Sequence, residues 1–189
     1  SLVGYSISEG GSDWRKVIIL NAKDKTQVGE TLIDVKFSGI AWKGNDGFYY
    51  SSYDKPKGSE LSEKTDQHKL YYHKLGTAQK SDKMIFGGSE TPRRYVGAYL
   101  TDDEKFLVIT AANTTTGNEL YYQDLSKPNS PIKTIVNNFD TSTSIIDNDG
   151  ETFYFFTNNK APNNRVVTAN LSALSASAWN TVIHETKNK

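Results

Sequence analysis

The chain has 189 residues, 22 Lys+Arg against 22 Asp+Glu, no cysteine, one methionine, and 8 Phe, 3 Trp and 11 Tyr. Without cysteine there is neither a disulfide scaffold nor a thiolate metal site. A zero net charge spread evenly along the chain gives no electrostatic footprint for a nucleic-acid backbone or an anionic membrane. The longest apolar runs, Val17 to Leu20 and Phe153 to Phe156, fall far short of the roughly 20 residues that span a bilayer.

Taken in order, the chain opens at Ser1-Leu2-Val3-Gly4-Tyr5 with no Met and with neither the basic segment nor the apolar core of an export signal. Because it begins inside an apolar alternating segment, it reads as a fragment of a longer polypeptide. Strands are expected at Leu2 to Ser8, Trp14 to Asn21 and Gln27 to Ile33. A second group follows at Lys36 to Trp42, Gly47 to Ser52, His68 to Leu75 and Lys83 to Phe86. The third runs through Tyr95 to Leu100, Phe106 to Ala111, Glu119 to Leu125 and Ile132 to Val136. Thr141 to Ile146, Thr152 to Thr157, Arg165 to Leu171 and Thr181 to His184 make the fourth. Asn170 to Trp179, with its Ala and Leu spacing, reads as a turn-rich connection or a short helix.

These runs repeat. Leu70-Tyr71-Tyr72-His73-Lys74-Leu75 returns 50 residues later as Leu120-Tyr121-Tyr122-Gln123-Asp124-Leu125, and more weakly as Val166 to Leu171 and Val17 to Ala22. Gly47-Phe48-Tyr49-Tyr50, Lys105-Phe106-Leu107-Val108 and Thr152-Phe153-Tyr154-Phe155 keep a similar beat. A period near 50, with β-branched and aromatic runs divided by turn residues, is the signature of four-stranded propeller blades. The fold class is therefore all-β: a partial β-propeller of nearly four four-stranded antiparallel blades, at about 1–34, 35–90, 91–138 and 139–189 of one domain. Turn residues at Asn45-Asp46-Gly47, Thr101 to Glu104 and Asp147-Asn148-Asp149-Gly150 fit tight hairpins between first and second strands. Small residues at Ser38-Gly39-Ile40-Ala41, Val96-Gly97-Ala98 and Thr141 to Ser144 suit strands crowded round a central channel. Two connections are long: Tyr53 to Gln67, polar with Pro56 and Gly58, and the Thr-rich Ala112 to Asn118.

Catalytic motifs are near-misses. Gly10-Gly11-Ser12-Asp13-Trp14 and Gly87-Gly88-Ser89-Glu90-Thr91 approach the G-x-S-x-G elbow without its last glycine, and Ser12 leads into a strand instead of a helix. Ser52-Tyr53-Asp54-Lys55 fits S-x-x-K with no partner motif. His68 and His73, five apart, would lie on opposite faces of a strand, and His184 stands alone, so structural or surface roles are expected of all three. Asp147 to Gly150 lacks the distal Glu of a calcium loop. Neither a catalytic residue, a metal site nor a cofactor is expected from the motifs.

Ser8-Glu9-Gly10-Gly11-Ser12-Asp13-Trp14, Val35-Lys36-Phe37-Ser38-Gly39-Ile40-Ala41-Trp42, Gly47 to Asp54, His68 to Asp82 and Leu100-Thr101-Asp102-Asp103 together resemble the prolyl oligopeptidase family over roughly residues 4 to 125. The resemblance implies a serine peptidase that cleaves short peptides after proline, with a seven-bladed propeller capping an α/β-hydrolase domain. This chain would be part of that propeller. No stretch matches the motifs around the family's Ser, Asp and His triad, so this segment would be non-catalytic, gating access to a hydrolase domain of the same parent protein. By motif alignment, substrate contacts fall on Tyr49, Tyr95 and the loop at Ala112 to Thr115, with Thr115 the candidate there. The family often carries Arg near Ala112 and Cys near Thr115, and this chain departs from that pattern.

Two other functions fit the residues: a stand-alone propeller serving as a protein-binding platform, and a carbohydrate-binding β-sandwich, against which the 50-residue period counts. The lack of cysteine suits cytoplasm and periplasm alike. A cut blade array would also leave an apolar face uncovered at each end. If each exposes on the order of 500 Å², about 25 cal/mol per Å² makes the exposure worth roughly 10 kcal/mol, comparable with the stability of a domain. Self-association through the open blade ends, or fraying there, is the expectation.

Overall fold

The computed structural model describes residues 1–54 and 66–187; Pro56 and Gly58 of the expected polar connection lie outside them. Among the described residues fifteen strands form four sheets, each a meander of chain neighbours. The first sheet holds β1 (Leu2–Ser8), β2 (Trp14–Asn21) and β3 (Leu32–Lys36). The second holds β4 (Ala41–Lys43), β5 (Gly47–Ser52), β6 (Lys69–Lys74) and β7 (Lys83–Gly87). β8 (Tyr95–Leu100), β9 (Phe106–Ala112), β10 (Glu119–Asp124) and β11 (Ile132–Val136) form the third. The fourth contains β12 (Thr143–Asp149), β13 (Thr152–Thr157), β14 (Arg165–Asn170) and β15 (Asn180–Ile183). This is the all-β succession of small antiparallel sheets that the repeat implied. Helical structure among the described residues is limited to 3-10 turns at Gln79–Ser81, Gly88–Glu90 and Ala176–Ala178. None of it is long and apolar enough to cross a membrane.

The chain divides into two compact units, Ser1–Tyr99 and Leu100–Lys189. In the first, period-2 alternation sends Val17 and Ile19 of β2 and Phe48 and Tyr50 of β5 into one core; Leu32 and Val35 of β3, three residues apart, join them because the backbone breaks its alternation at Asp34, which has φ 55. Each side chain so buried contributes about 1.5–3 kcal/mol. The same alternation turns Leu2 and Gly4 of β1 toward this core, where a side chain at Gly4 would meet Ile19, Ile40 and Trp42. Val3, Tyr5 and Ile7 then fall on the opposite face and are exposed. In the second unit, Phe106 of β9 meets Phe153 of β13 edge-on at 4.7 Å, with Tyr122 of β10 at 6.2 Å from Phe153. The Trp179 ring stacks on Phe155 at 5.2 Å, closing the turn-rich connection that precedes β15.

Three strands depart from expectation by more than one residue. The strand expected at Gln27 to Ile33 lies at Leu32–Lys36 instead; Gln27 makes only an isolated bridge to Leu20, and a register shift between Arg15 and Val17 carries the pairing onward. Lys36 thus belongs to the first sheet, and the first strand of the second shrinks to Ala41–Lys43. Ser38 explains why: its hydroxyl, not its backbone, takes up the Ser51 N–H at 2.7 Å, so the ladder ends early. In the fourth sheet β12 starts two residues late and runs through Asp149, leaving Gly150 and Glu151 as the hairpin turn, with Asp149 paired to Thr152.

Candidate functional site

Tyr95 and Thr115 are exposed and Tyr49 is buried. Tyr95, at the start of β8, is 54 % exposed, and its ring lies edge-on to Phe37, itself 45 % exposed, with centroids 5.8 Å apart. Phe37 sits at φ 52, a left-handed conformation that costs a non-glycine residue energy and persists only where its surroundings impose it. The surroundings are identifiable. Tyr53 meets Phe37 edge-on at 6.3 Å and stacks at 4.5 Å on His68. The Lys36 ammonium lies 5.1 Å from the centroids of both Phe37 and Trp14 and 3.8 Å from the Asp13 carboxylate.

His68 is fully buried immediately before β6. Its Nε2 is 3.0 Å from the Lys36 carbonyl, and its Nδ1 is 2.9 Å from the Val96 amide nitrogen. A carbonyl only accepts, so Nε2 carries the proton and Nδ1 accepts the Val96 N–H. Burial pushes the imidazole below its ordinary pKa, in keeping with this neutral tautomer.

Tyr49 is only 5 % exposed and packs at 4.9 Å on Tyr72, one strand away in the same sheet. Burial, and then the neighbouring Tyr72, push its phenol up to about 12. It belongs to a separate aromatic pair from Phe37 and Tyr95. On β5 the next ring, Tyr50, stacks on Tyr71 and donates at 2.9 Å to Asp82, whose carboxylate also meets His73 Nδ1 at 2.9 Å. A cavity of about 430 Å³ lies beside this network, lined by Tyr50, Tyr53, Tyr71, Asp34, Asp54 and Asp82. Asp82 is committed to Tyr50 and His73, and among the described residues no group of His, Cys, Asp or Glu is arranged to hold a metal.

Thr115 lies in the second unit, on the loop between β9 and β10. It lines a groove of about 310 Å³ with Thr110, Thr114, Ser142, Ser144 and Phe156, the last 46 % exposed. Local hydrogen bonds shape the loop: Thr114 donates to the Thr116 carbonyl at 3.0 Å, and Gly117 N–H donates to the Ser142 hydroxyl at 3.1 Å. Gly117 is required, because at φ 73 a Cβ would lie 1.8 Å from the Phe139 carbonyl oxygen. Asn118 then accepts the Thr143 N–H at 2.9 Å and donates to the Thr143 carbonyl at 2.8 Å.

The near-miss serines are used structurally. Ser12 accepts the Trp14 N–H at 3.1 Å in a polar turn, Ser89 lies in a 3-10 turn, and Ser52 donates to the Asp34 carbonyl at 2.6 Å; Lys55 of the S-x-x-K match lies outside the described residues. In the first unit the exposed Phe37–Tyr95 pair beside the Lys36 cation presents an apolar surface; in the second, the Thr115 groove presents hydroxyl groups. Sequence reasoning singled out Tyr95 but missed Phe37, Tyr53 and His68. The available signal for His68 was its place ahead of the repeated Leu-Tyr-Tyr strand, which Asn118 occupies 50 residues on.

Comparison with known proteins agrees along the whole chain. Residues 1–189 match the family model described as the prolyl oligopeptidase N-terminal beta-propeller domain. A prolyl endopeptidase of Elizabethkingia meningoseptica is 56% identical over 187 residues, which are 98% of this chain and 26% of that protein. Prolyl oligopeptidase A of Amanita bisporigera is 30% identical over 88% of this chain and 25% of its own length. Among solved structures, one from a study of two prolyl endopeptidases and inter-domain dynamics superposes with a TM-score of 0.86 at 30% identity, covering 98% of this chain and 26% of that one. Apo prolyl oligopeptidase B from Galerina marginata gives 0.82 at 25% identity, covering 99% and 28%. The chain thus spans about a quarter of the length of its relatives, and it belongs to the N-terminal β-propeller domain family of the prolyl oligopeptidases.

Proposed function

We propose that this chain is the non-catalytic propeller segment of a serine-type prolyl oligopeptidase, gating the passage of short proline-containing peptides to a hydrolase domain of the same polypeptide. In this reading its sheets are blades of a seven-bladed ring, and the blade ranges expected from the repeat shift only as β3, β4 and β12 do. Tyr95 contacts the substrate on the amino side of proline, and Tyr49 and Thr115 are the further contact residues of this reading. The observation that carries the reading is the exposed Phe37–Tyr95 pair, held edge to face beside a cation. Exposed aromatic faces pack well against a pyrrolidine or another apolar side chain, and burying them on a ligand offsets their cost to the free protein.

Kinetics of the full-length polypeptide test this. Tyr95→Ala should raise KM for peptides extended on the amino side of proline by about fivefold with little change in kcat, the pattern of lost uniform binding. Unchanged KM removes Tyr95 from the pocket. The exposed Val3, Tyr5 and Ile7 face of β1 supports the further proposal that the isolated 189-residue chain self-associates through that sheet. Light scattering showing a monodisperse monomer whose β1 amides are fully protected from exchange contradicts it.

A further inference from the structure

We propose that His68 is a positioning residue whose single imidazole sets the spacing of the Phe37–Tyr95 pair by gripping the backbone next to each ring. The inference rests on the reading that these rings meet the substrate, and it adds the device that holds them in register. One ring nitrogen donates to the carbonyl of Lys36, the residue before Phe37; the other accepts the amide of Val96, the residue after Tyr95. Both partners are backbone groups, so the imidazole fixes main chain at two points widely separated in sequence. His68 is fully buried, and its third contact, the stacked Tyr53 ring, also touches Phe37.

Three consequences follow from the chemistry. Phe37 adopts φ 52 at the residue directly after the gripped carbonyl, so the grip opposes relaxation of that backbone toward the β region. Tyr95 and Phe37, more than half and nearly half exposed, have little burial of their own to hold them together. An imidazole is also the one neutral side chain that offers a donor and an acceptor on opposite edges of a rigid ring, so neither Asn nor Gln can reproduce both bonds. Asn places its amide near the Nδ1 position and can still accept from Val96; Gln reaches the Nε2 position and can still donate to Lys36.

The test combines kinetics and structure in the full-length polypeptide, with His68→Leu, His68→Asn and His68→Gln set beside Tyr95→Ala. Positioning predicts that His68→Leu raises KM for amino-extended proline peptides about fivefold with kcat nearly unchanged, and that the Phe37 and Tyr95 rings separate in its crystal structure. His68→Asn should recover most of the KM, because it keeps the bond nearest Tyr95. A purely structural role would lower the yield of folded enzyme and leave KM alone. If Tyr95→Ala raises KM while His68→Leu, or His68→Gln should the leucine variant not fold, leaves KM and ring spacing as they are, the proposal is overturned and the substrate reading stands. If Tyr95→Ala has no effect on KM but the rings separate in the His68 variants, the substrate reading fails and the positioning role holds.

Discussion

His68 in the first unit and Asn118 in the second occupy the same place in the repeat and solve the same problem with different chemistry. Each directly precedes the third strand of its sheet, β6 or β10, and each accepts a backbone N–H from the first strand of another sheet, Val96 of β8 or Thr143 of β12. Asn118 returns a hydrogen bond to the same residue, Thr143, whereas His68 returns one to Lys36, in a third segment of chain. The amide therefore ties two strands, and the imidazole ties three segments and can be switched off by a proton. The aromatic patch depends on a titratable buried group; the hydroxyl groove does not.

The contrast can be broken most severely at His68. His68→Leu leaves a buried acceptor and a buried donor unpaired, which costs about 3–5 kcal/mol in all, read as a lower urea midpoint at unchanged slope. Gly117→Ala comes next, at about 2–4 kcal/mol, because its Cβ collides with the Phe139 backbone. Gly76→Ala is the control: φ is +80 but nothing lies within 4 Å, so the loss is only about 1 kcal/mol of backbone strain. A Gly117 variant no worse than the Gly76 variant would show that the loop yields freely. Asn118→Ala should cost about 1–3 kcal/mol by leaving the Thr143 groups short of partners.

Acid sharpens the comparison. Burial lowers the His68 pKa in the folded state, so its contribution is complete above the unfolded value of about 6.5 and is lost as pH falls below it, at up to about 1.4 kcal/mol per unit until the folded value is reached. The hydrogen bond to the Lys36 carbonyl works against burial without reversing the direction of the shift. Urea unfolding at pH 5 and 7.5 should show the loss in the wild type and not in His68→Asn; equal losses in both place the acid sensitivity elsewhere. The isolated chain should also leave a chromogenic Gly-Pro substrate uncleaved, and turnover abolished by Ser12→Ala would contradict the structural role given to Ser12.

The strand pattern was legible because alternation and turn chemistry act locally: β1, β2, β5 and β8 match expectation residue for residue. Boundaries failed where a side chain stood in for backbone, as Ser38 does against Ser51, or where a bulge moved the register, as between Arg15 and Val17. Motif resemblance singled out Tyr95, whose ring the structure shows exposed against Phe37. Phe37 was not singled out, because nothing in a sequence marks a phenylalanine for positive φ. His68 was only half legible: its repeat position is shared with Asn118, but that its two nitrogens reach Lys36 and Val96 is a property of the tertiary structure.

Photo-crosslinking reaches the central claim most directly. A short proline peptide carrying a benzophenone on its amino side, irradiated with the full-length polypeptide, should label the segments containing Phe37 and Tyr95, and the label should fall sharply in Tyr95→Ala. Adducts confined to other segments, or undiminished in that variant, would show that the aromatic pair is not where the substrate lies.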